Sequence, residues 1–305
     1  MSGLWRDLAH AARSLAKARA FTFVCVISLG IGMAPLIAIP YASRVSRMPP
    51  AGVNSSELVE LLTAAAGPHN ETDRWSYPDY VDLRDAGTGL TLIPYIGRPA
   101  EIALPGAGES KMPASTLFVP ANYFETLGLK MARGAGFGAS SADSLAPNPV
   151  VVVNYKFWQD KLNADPEILG KTLTIDGTGY VVVGIAPQHF GGHAGFGESA
   201  WNLFVPLERH PNLVAGGKPE ENYRDNRSKE WLGLHARLAP GMSVEQASAA
   251  VAAVIARLAK AHPETNEFRA GVAAPFKASP PACRSPCGRA ARQSPRRRAR
   301  AGKSR

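Results

Sequence analysis

The run Phe21 to Ala42, FTFVCVISLGIGMAPLIAIPYA, carries no charged side chain over 22 residues, and it is bracketed by Lys17 and Arg19 before it and Arg44 and Arg47 after it. Wound as a helix at about 1.5 Å per residue, it covers the roughly 30 Å hydrocarbon thickness of a bilayer. A cleavable signal peptide has an apolar region of about 7 to 15 residues followed by a small-residue cleavage site. This run is longer, and Pro40-Tyr41-Ala42 is a poor cleavage context. A buried helix of a water-soluble core would be broken by Pro35 and Pro40, whereas neighbouring helices in a membrane repair the freed backbone groups. The stretch 21–42 therefore reads as an uncleaved membrane span, with Gly30 and Gly32 as the flat face against which another helix packs.

Charge supports that organisation. The formal net charge of +9 divides into +5 for residues 1–48, −5 for residues 49–278 and +9 for residues 279–305. The high isoelectric point thus comes from the two ends, and the mildly acidic middle excludes a basic nucleic-acid-binding face. Arg6, Arg13, Lys17 and Arg19 outweigh Asp7 before the span, which places the N-terminus in the cytoplasm and the large domain outside. Residues 1–20 form an amphipathic helix in the headgroup layer, with Trp5 as an interfacial anchor, or serve simply as the positive topology signal. Cys25 lies in the span and Cys283 and Cys287 in the tail, so the middle has no disulfide framework.

Met48-Pro49-Pro50-Ala51-Gly52 marks the start of a domain expected over residues 49–278. Strands are expected over 57–64, 91–104, 111–119, 149–154, 201–206 and 231–238, and helices over 77–85, 120–127 and 155–162. Lys171 to Ile185 reads as a hairpin around Asp176-Gly177, a pair suited to positive φ. The clearest helix is 243–261, with a capping box from Ser243 to Gln246 and Val244, Ala247, Val251, Val254, Ile255 and Leu258 at helical spacing. Residues 279–305 contain no Leu, Ile, Val, Phe, Met, Trp or Tyr and are expected to be disordered. Their Arg, Ala, Pro, Gly, Ser and Cys content also suits a frameshifted or truncated end.

Motifs for chemistry are weak. Leu169-Gly170-Lys171-Thr172 lacks the first glycine of a phosphate-binding loop, that place being Asp165. His189 and His193 flank Gly191-Gly192, which favours a solvated glycine-rich loop over a helical metal pair. Cys283 and Cys287 have no partner pair for zinc, and Arg296 to Arg298 would meet anionic lipid only on the cytoplasmic side. No nucleophile triad or paired carboxylate appears, so neither catalytic residues, metal ligands nor cofactor-binding residues are expected, and the chain does not read as an enzyme.

Four collinear blocks carry a family likeness: LWRDLAHAARSLAKARAFTFVCVISLGIG, SYPDYVDLRD, VVVVNYKFWQDKLNADPEILGKTLTIDGTGYVVVGIAP and WLGLHARLAPGMSVEQASAAV. Over residues 3–278 the chain resembles the permease subunits of macrolide-exporter type (MacB-like, FtsX-like) ABC systems, particularly their bacterial orphan-permease branch. The resemblance implies an α+β fold: one N-terminal transmembrane helix followed by a periplasmic core of two mixed α/β subdomains. Residues from about 119 to 208 would be inserted into an outer subdomain formed by about 50–118 and 209–278. It further implies an inner-membrane location, the lipid bilayer, a permease partner or second copy as neighbours, and a separate ATPase subunit that binds the ATP. In that family three more spans follow the core, so the chain is expected to be an incomplete permease. The alternative is a single-span anchored periplasmic binding or adaptor module.

Overall fold

The computed structural model describes residues 52–65, 74–103, 111–138, 149–194, 201–213, 223–267 and 269–276, together with Phe23, Ile27, Ser28 and Met33. The chain divides into two compact units, Met1–Met48 and Pro49–Arg305. The four described residues of the first are helical and exposed. The expected span as a whole, its Gly30 and Gly32, and the tail 279–305 lie outside the described residues, among which no helix is long and apolar enough to cross a membrane.

In the second unit the strands are β1 (Leu58–Ala65), β2 (Trp75–Ser76), β3 (Leu90–Ala103), β4 (Lys111–Val119), β5 (Arg133–Gly134), β6 (Val150–Val153), β7 (Thr172–Ile175), β8 (Thr178–Ile185), β9 (Leu203–Pro206), β10 (Glu230–Leu238) and β11 (Arg269–Pro275). The helices are α1 (Tyr77–Asp85), α2 (Tyr123–Thr126), α3 (Tyr155–Lys161), α4 (Val244–Ala261) and α5 (Pro263–Asn266). Their order in the sheet is β11-β1-β10-β3-β4-β9-β6-β8-β5, with β2 beside β10 and β7 beside both β3 and β8. That double pairing of β7 closes β3, β4, β9, β6, β8 and β7 into a ring, while β10, β1 and β11 extend as an open wing from the other half of β3.

β3 holds both parts. Leu90 to Tyr95 pair with Leu238 to Gly233 of β10, and Ile96 to Ala103 pair with Phe118 to Lys111 of β4. Pro99 is tolerated in the paired half because Ser115 opposite sends its own N–H to Asn202 Oδ1 at 2.9 Å rather than to β3. Alternate residues then serve two apolar clusters. Ala100, Ile102, Ala114, Phe118, Val151, Val153, Leu173, Ile175, Leu203 and Val205 belong to one, which continues under α1 and α4 through Val59, Leu61, Leu92 and Leu234. Leu58, Ile93, Leu117, Val119, Val152 and Phe204 belong to the other, covered by α2 and the 187–194 loop through Tyr123, Phe124 and Phe190.

Local sequence accounts for most elements. Ser243 Oγ accepts from the Gln246 N–H and the Gln246 side chain accepts from the Ser243 N–H, so the capping box starts α4 as expected. Asp176 and Gly177 have φ of 46° and 84°, the primed turn that suits a twisted hairpin. That turn is also tied to β3, because the Glu101 N–H donates to Asp176 Oδ1 at 2.8 Å and the Asp176 N–H donates to the Glu101 carbonyl at 2.9 Å.

β11, RAGVAAP, is the longest strand that sequence reading misses, since Ala, Gly and Pro are poor strand formers. Its small residues serve close packing: a Cβ at Gly271 would stand 2.7 Å from Ile255 and 2.9 Å from Val251 of α4. Its free edge is blunted as well. Phe276 donates to the Leu58 carbonyl, so the alternate positions 273 and 275 face outward. There Ala273 N–H is taken by Ser248 Oγ and Pro275 has no N–H to offer. Overpacking predicts that Gly271→Ala lowers unfolding stability by about 1–3 kcal/mol, read from the urea midpoint at unchanged slope.

Candidate functional site: a buried aspartate hub beside a charged cleft

Ser76 caps α1, its Oγ accepting from the Asp79 N–H at 3.2 Å and donating to Asp79 Oδ2 at 2.7 Å. This turns the Asp79 carboxylate inward, where it is fully buried. Oδ1 accepts from Arg227 Nη1 at 2.6 Å and Asn266 Nδ2 at 2.9 Å, and Oδ2 accepts from Arg269 Nη1 at 3.1 Å. Arg227 reaches on to Asp82 Oδ2 at 2.7 Å, and Arg269 bonds Glu230 and the Thr265 carbonyl. One carboxylate thus joins α1, the 223–229 loop, β10, α5 and β11.

The two arginines respond differently to this setting. For Arg227 burial works against the charge, but the bonds from Asp79 and Asp82 outweigh it and raise its pKa. For Arg269, which is only 7% exposed, burial dominates and lowers it, aided by Arg227 and opposed by Asp79. Every oxygen of Asp79 is engaged by donors, so the site holds these elements together.

Beside the hub lies a cleft of about 740 Å³ lined by Tyr77, Asp82, Arg84, Arg224, Arg227 and His262. Its cations are already partnered. Arg84 bonds Asp85 at 2.7 and 3.1 Å, and Arg224 lies 5.5 Å over the Tyr77 ring while donating to the Leu213 carbonyl. Burial raises the pKa of Tyr77, and that of Tyr80 to about 12, as well as that of Glu208 nearby. The cleft is a polar surface of mixed charge.

The other expected features fall as follows. Lys171 pairs with Asp165 at 2.7 Å at the start of β7, away from any helix N-terminus, so Leu169–Thr172 cradles no phosphate. The HFGGH segment corrects the sequence reading. His189 is exposed, but Phe190 and His193 are buried at 1% and 3%, so this is a packed loop and not a solvated one. The physical reason is aromatic: Phe190 packs at 5.8 Å on Phe204 and His193 at 4.7 Å on Tyr95, and these rings offset the loop's glycines. Among the described residues no three His, Cys, Asp or Glu side chains are placed to hold a metal ion. Gly30, Gly32, Cys283 and Cys287 lie outside those residues.

Sequence reasoning passes over Asp79, Arg227, Arg269 and the buried His210 and His235, and it names His193 only as half of an unsupported metal pair. Asp79 has a local signal, since a serine three residues before it marks a cap. The arginines lie 148 and 190 residues from it, and no local pattern reports that distance.

The fold is shared with extracytoplasmic domains of permeases. A domain of a protein described as a permease from Porphyromonas gingivalis superposes with a TM-score of 0.52 at 14% identity, covering 75% of this chain and 94% of that one. The periplasmic region of MacB from Actinobacillus actinomycetemcomitans superposes with a TM-score of 0.50 at 15% identity, covering 74% and 91%. No curated protein matches the sequence. The MacB-like periplasmic core domain matches residues 22–254, and the chain belongs to that family.

Breaking the hub leaves buried guanidinium groups without their counter-charge. Asp79→Ala is expected to lower stability by roughly 3–5 kcal/mol in chemical denaturation. Asp82→Ala, which removes an exposed end of the same chain of bonds, is expected to lower it by about 1 kcal/mol or less.

Proposed function

We propose that the chain is a membrane-anchored permease component of a MacB-type ABC export system, which carries ATPase-driven motion across the membrane into an outer core domain. The observation that carries this reading is the family match over residues 22–254, which begins inside the apolar run 21–42 and continues through the core. A match that takes in most of that run together with the core supports a span and core that act together. In this reading the span crosses the bacterial inner membrane with the N-terminus in the cytoplasm, and the ATP is bound by a separate ATPase subunit.

The core is suited to transmitting force. Its ring of strands has few free edges, and the Asp79 hub ties β10 and β11 to α1 and α5 by charge-assisted bonds. The wing, joined in this way, moves as a body. Nothing in this role requires the core itself to perform chemistry.

The test is recovery of the chain from membranes followed by mass spectrometry of what accompanies it. An ABC ATPase or a permease chain is expected in the recovered complex, and repeated recovery without either overturns the reading in favour of a stand-alone adaptor. The predicted contact face is Gly30 and Gly32: replacing both with Leu is expected to lower recovery of the partner permease several-fold while leaving the chain in the membrane fraction.

A further inference from the structure

His193 of the 187–194 loop and His235 of β10 meet edge to face, with ring centroids 4.9 Å apart and planes at 78°. Tyr95 of β3 packs on both rings, at 4.7 and 4.8 Å, and Phe276 lies edge-on to His235 at 5.0 Å. The box closes at α2, where the Tyr123 hydroxyl accepts from the His193 N–H at 3.1 Å and lies 2.7 Å from His193 Nδ1. With that backbone donor in place, the hydroxyl proton is directed to Nδ1, which leaves the imidazole proton on Nε2. Among the described residues, neither His193 Nε2 nor His235 Nδ1, both buried, has a hydrogen-bond partner.

The location matters as much as the chemistry. The loop belongs to the ring side of the molecule: Asn154 Nδ2 donates to the Phe190 carbonyl at 2.9 Å, and Trp201 Nε1 donates to the Ala194 carbonyl. His235 and Phe276 belong to the open wing. The chain passes between the two sides twice, along β3 and between β9 and β10, and the histidine box is a side-chain contact across that joint.

We infer that the His193–His235 box is an acid-operated latch, which holds the open wing against α2 and the 187–194 loop while both imidazoles are neutral and releases it when either is protonated. A proton on His193 Nδ1 would leave the Tyr123 hydroxyl facing two N–H donors, with its own proton unpartnered. A proton on His235 would place a charge among Tyr95, His193 and Phe276. The groups around it offer little compensation inside the box. Arg237, two residues along β10, is a like charge already held by Glu57 at 2.6 Å and the Thr126 carbonyl at 2.6 Å. Ile93 is the neighbour across the ladder on one side. On the other side stands Glu60 of β1, half-buried, directly opposite His235 in the register.

Burial sets the direction of titration: desolvation pushes His193 far below the ordinary imidazole value, with His235 adding to it, and takes His235 to about 3. Both are depressed relative to an open state near 6.5, so the open state binds more protons below that pH. The closed form is fully favoured above about 6.5 and loses up to tenfold per pH unit per histidine as pH falls from there toward 3.

The experiment is hydrogen exchange of the full chain between pH 7.5 and 5.0, corrected for intrinsic exchange. Amides of 190–194 are expected to open at least about tenfold more at pH 5.0 than at pH 7.5, while β4 and β9 stay protected. The double variant His193→Asn, His235→Phe is expected to remove that pH dependence. A flat profile in the natural chain, or the same rise in the double variant, overturns the latch. Should the variant not fold, imidazole NMR of the natural chain decides. Rings that titrate near 6.5 while their contacts with Tyr95 and Phe276 persist overturn the latch, whereas rings that titrate together with loss of those contacts support it.

Discussion

The structure depends on one strand pairing differently along its two halves. β3 gives Leu90–Tyr95 to β10 and Ile96–Ala103 to β4, and its last residues also meet β7. Without those end pairings the ring of strands would have two open edges, and the Asp176 turn would lose the Glu101 backbone it bonds. A strand that supplies hydrogen bonds to one partner at a time leaves unpaired groups on its other side. The fold accepts this where Pro94 and Pro99 remove donors that would otherwise need partners.

Two polar constructions sit on opposite faces of this sheet, and they solve burial in opposite ways. Asp79 is buried with all its lone-pair directions met by cations, an amide and a hydroxyl, so charge is retained in the interior. His193 and His235 are buried as neutral rings with one nitrogen each unmet among the described residues, so charge is excluded. The first arrangement sets charge against charge. The second is stable only while it stays neutral.

Much of this fold was legible because its elements announce themselves locally. Tyr77–Asp85, the hairpin at Asp176-Gly177 and the capped helix from Val244 follow from caps, turn residues and apolar spacing, and the structure places them where the sequence does. β11 was not legible, because its Ala and Gly were selected by the approach of Ile255 and Val251 rather than by strand propensity. The HFGGH loop was misread for a related reason. Its glycines suggest solvent, but its burial is decided by Phe204, Tyr95 and Tyr123, which lie far away in sequence. Of the candidate site, the Ser76 cap could be seen, but Arg227 and Arg269 could not.

The placement of the two constructions bears on how the domain would move. The hub fastens α1, α5 and β11 to β10, all within the open wing and its helical cover. The histidine box and the Arg237 bond to the Thr126 carbonyl instead join that wing to α2 and the loop of the ring side. The hub's charge-assisted bonds thus lie within one body, while the contacts across the joint are mostly apolar and include both clusters that run from ring to wing, with the Arg237 bond beside them. Motion of one side against the other bears on these contacts and on the two chain crossings, β3 and the β9–β10 connection, while the hub holds the open wing together.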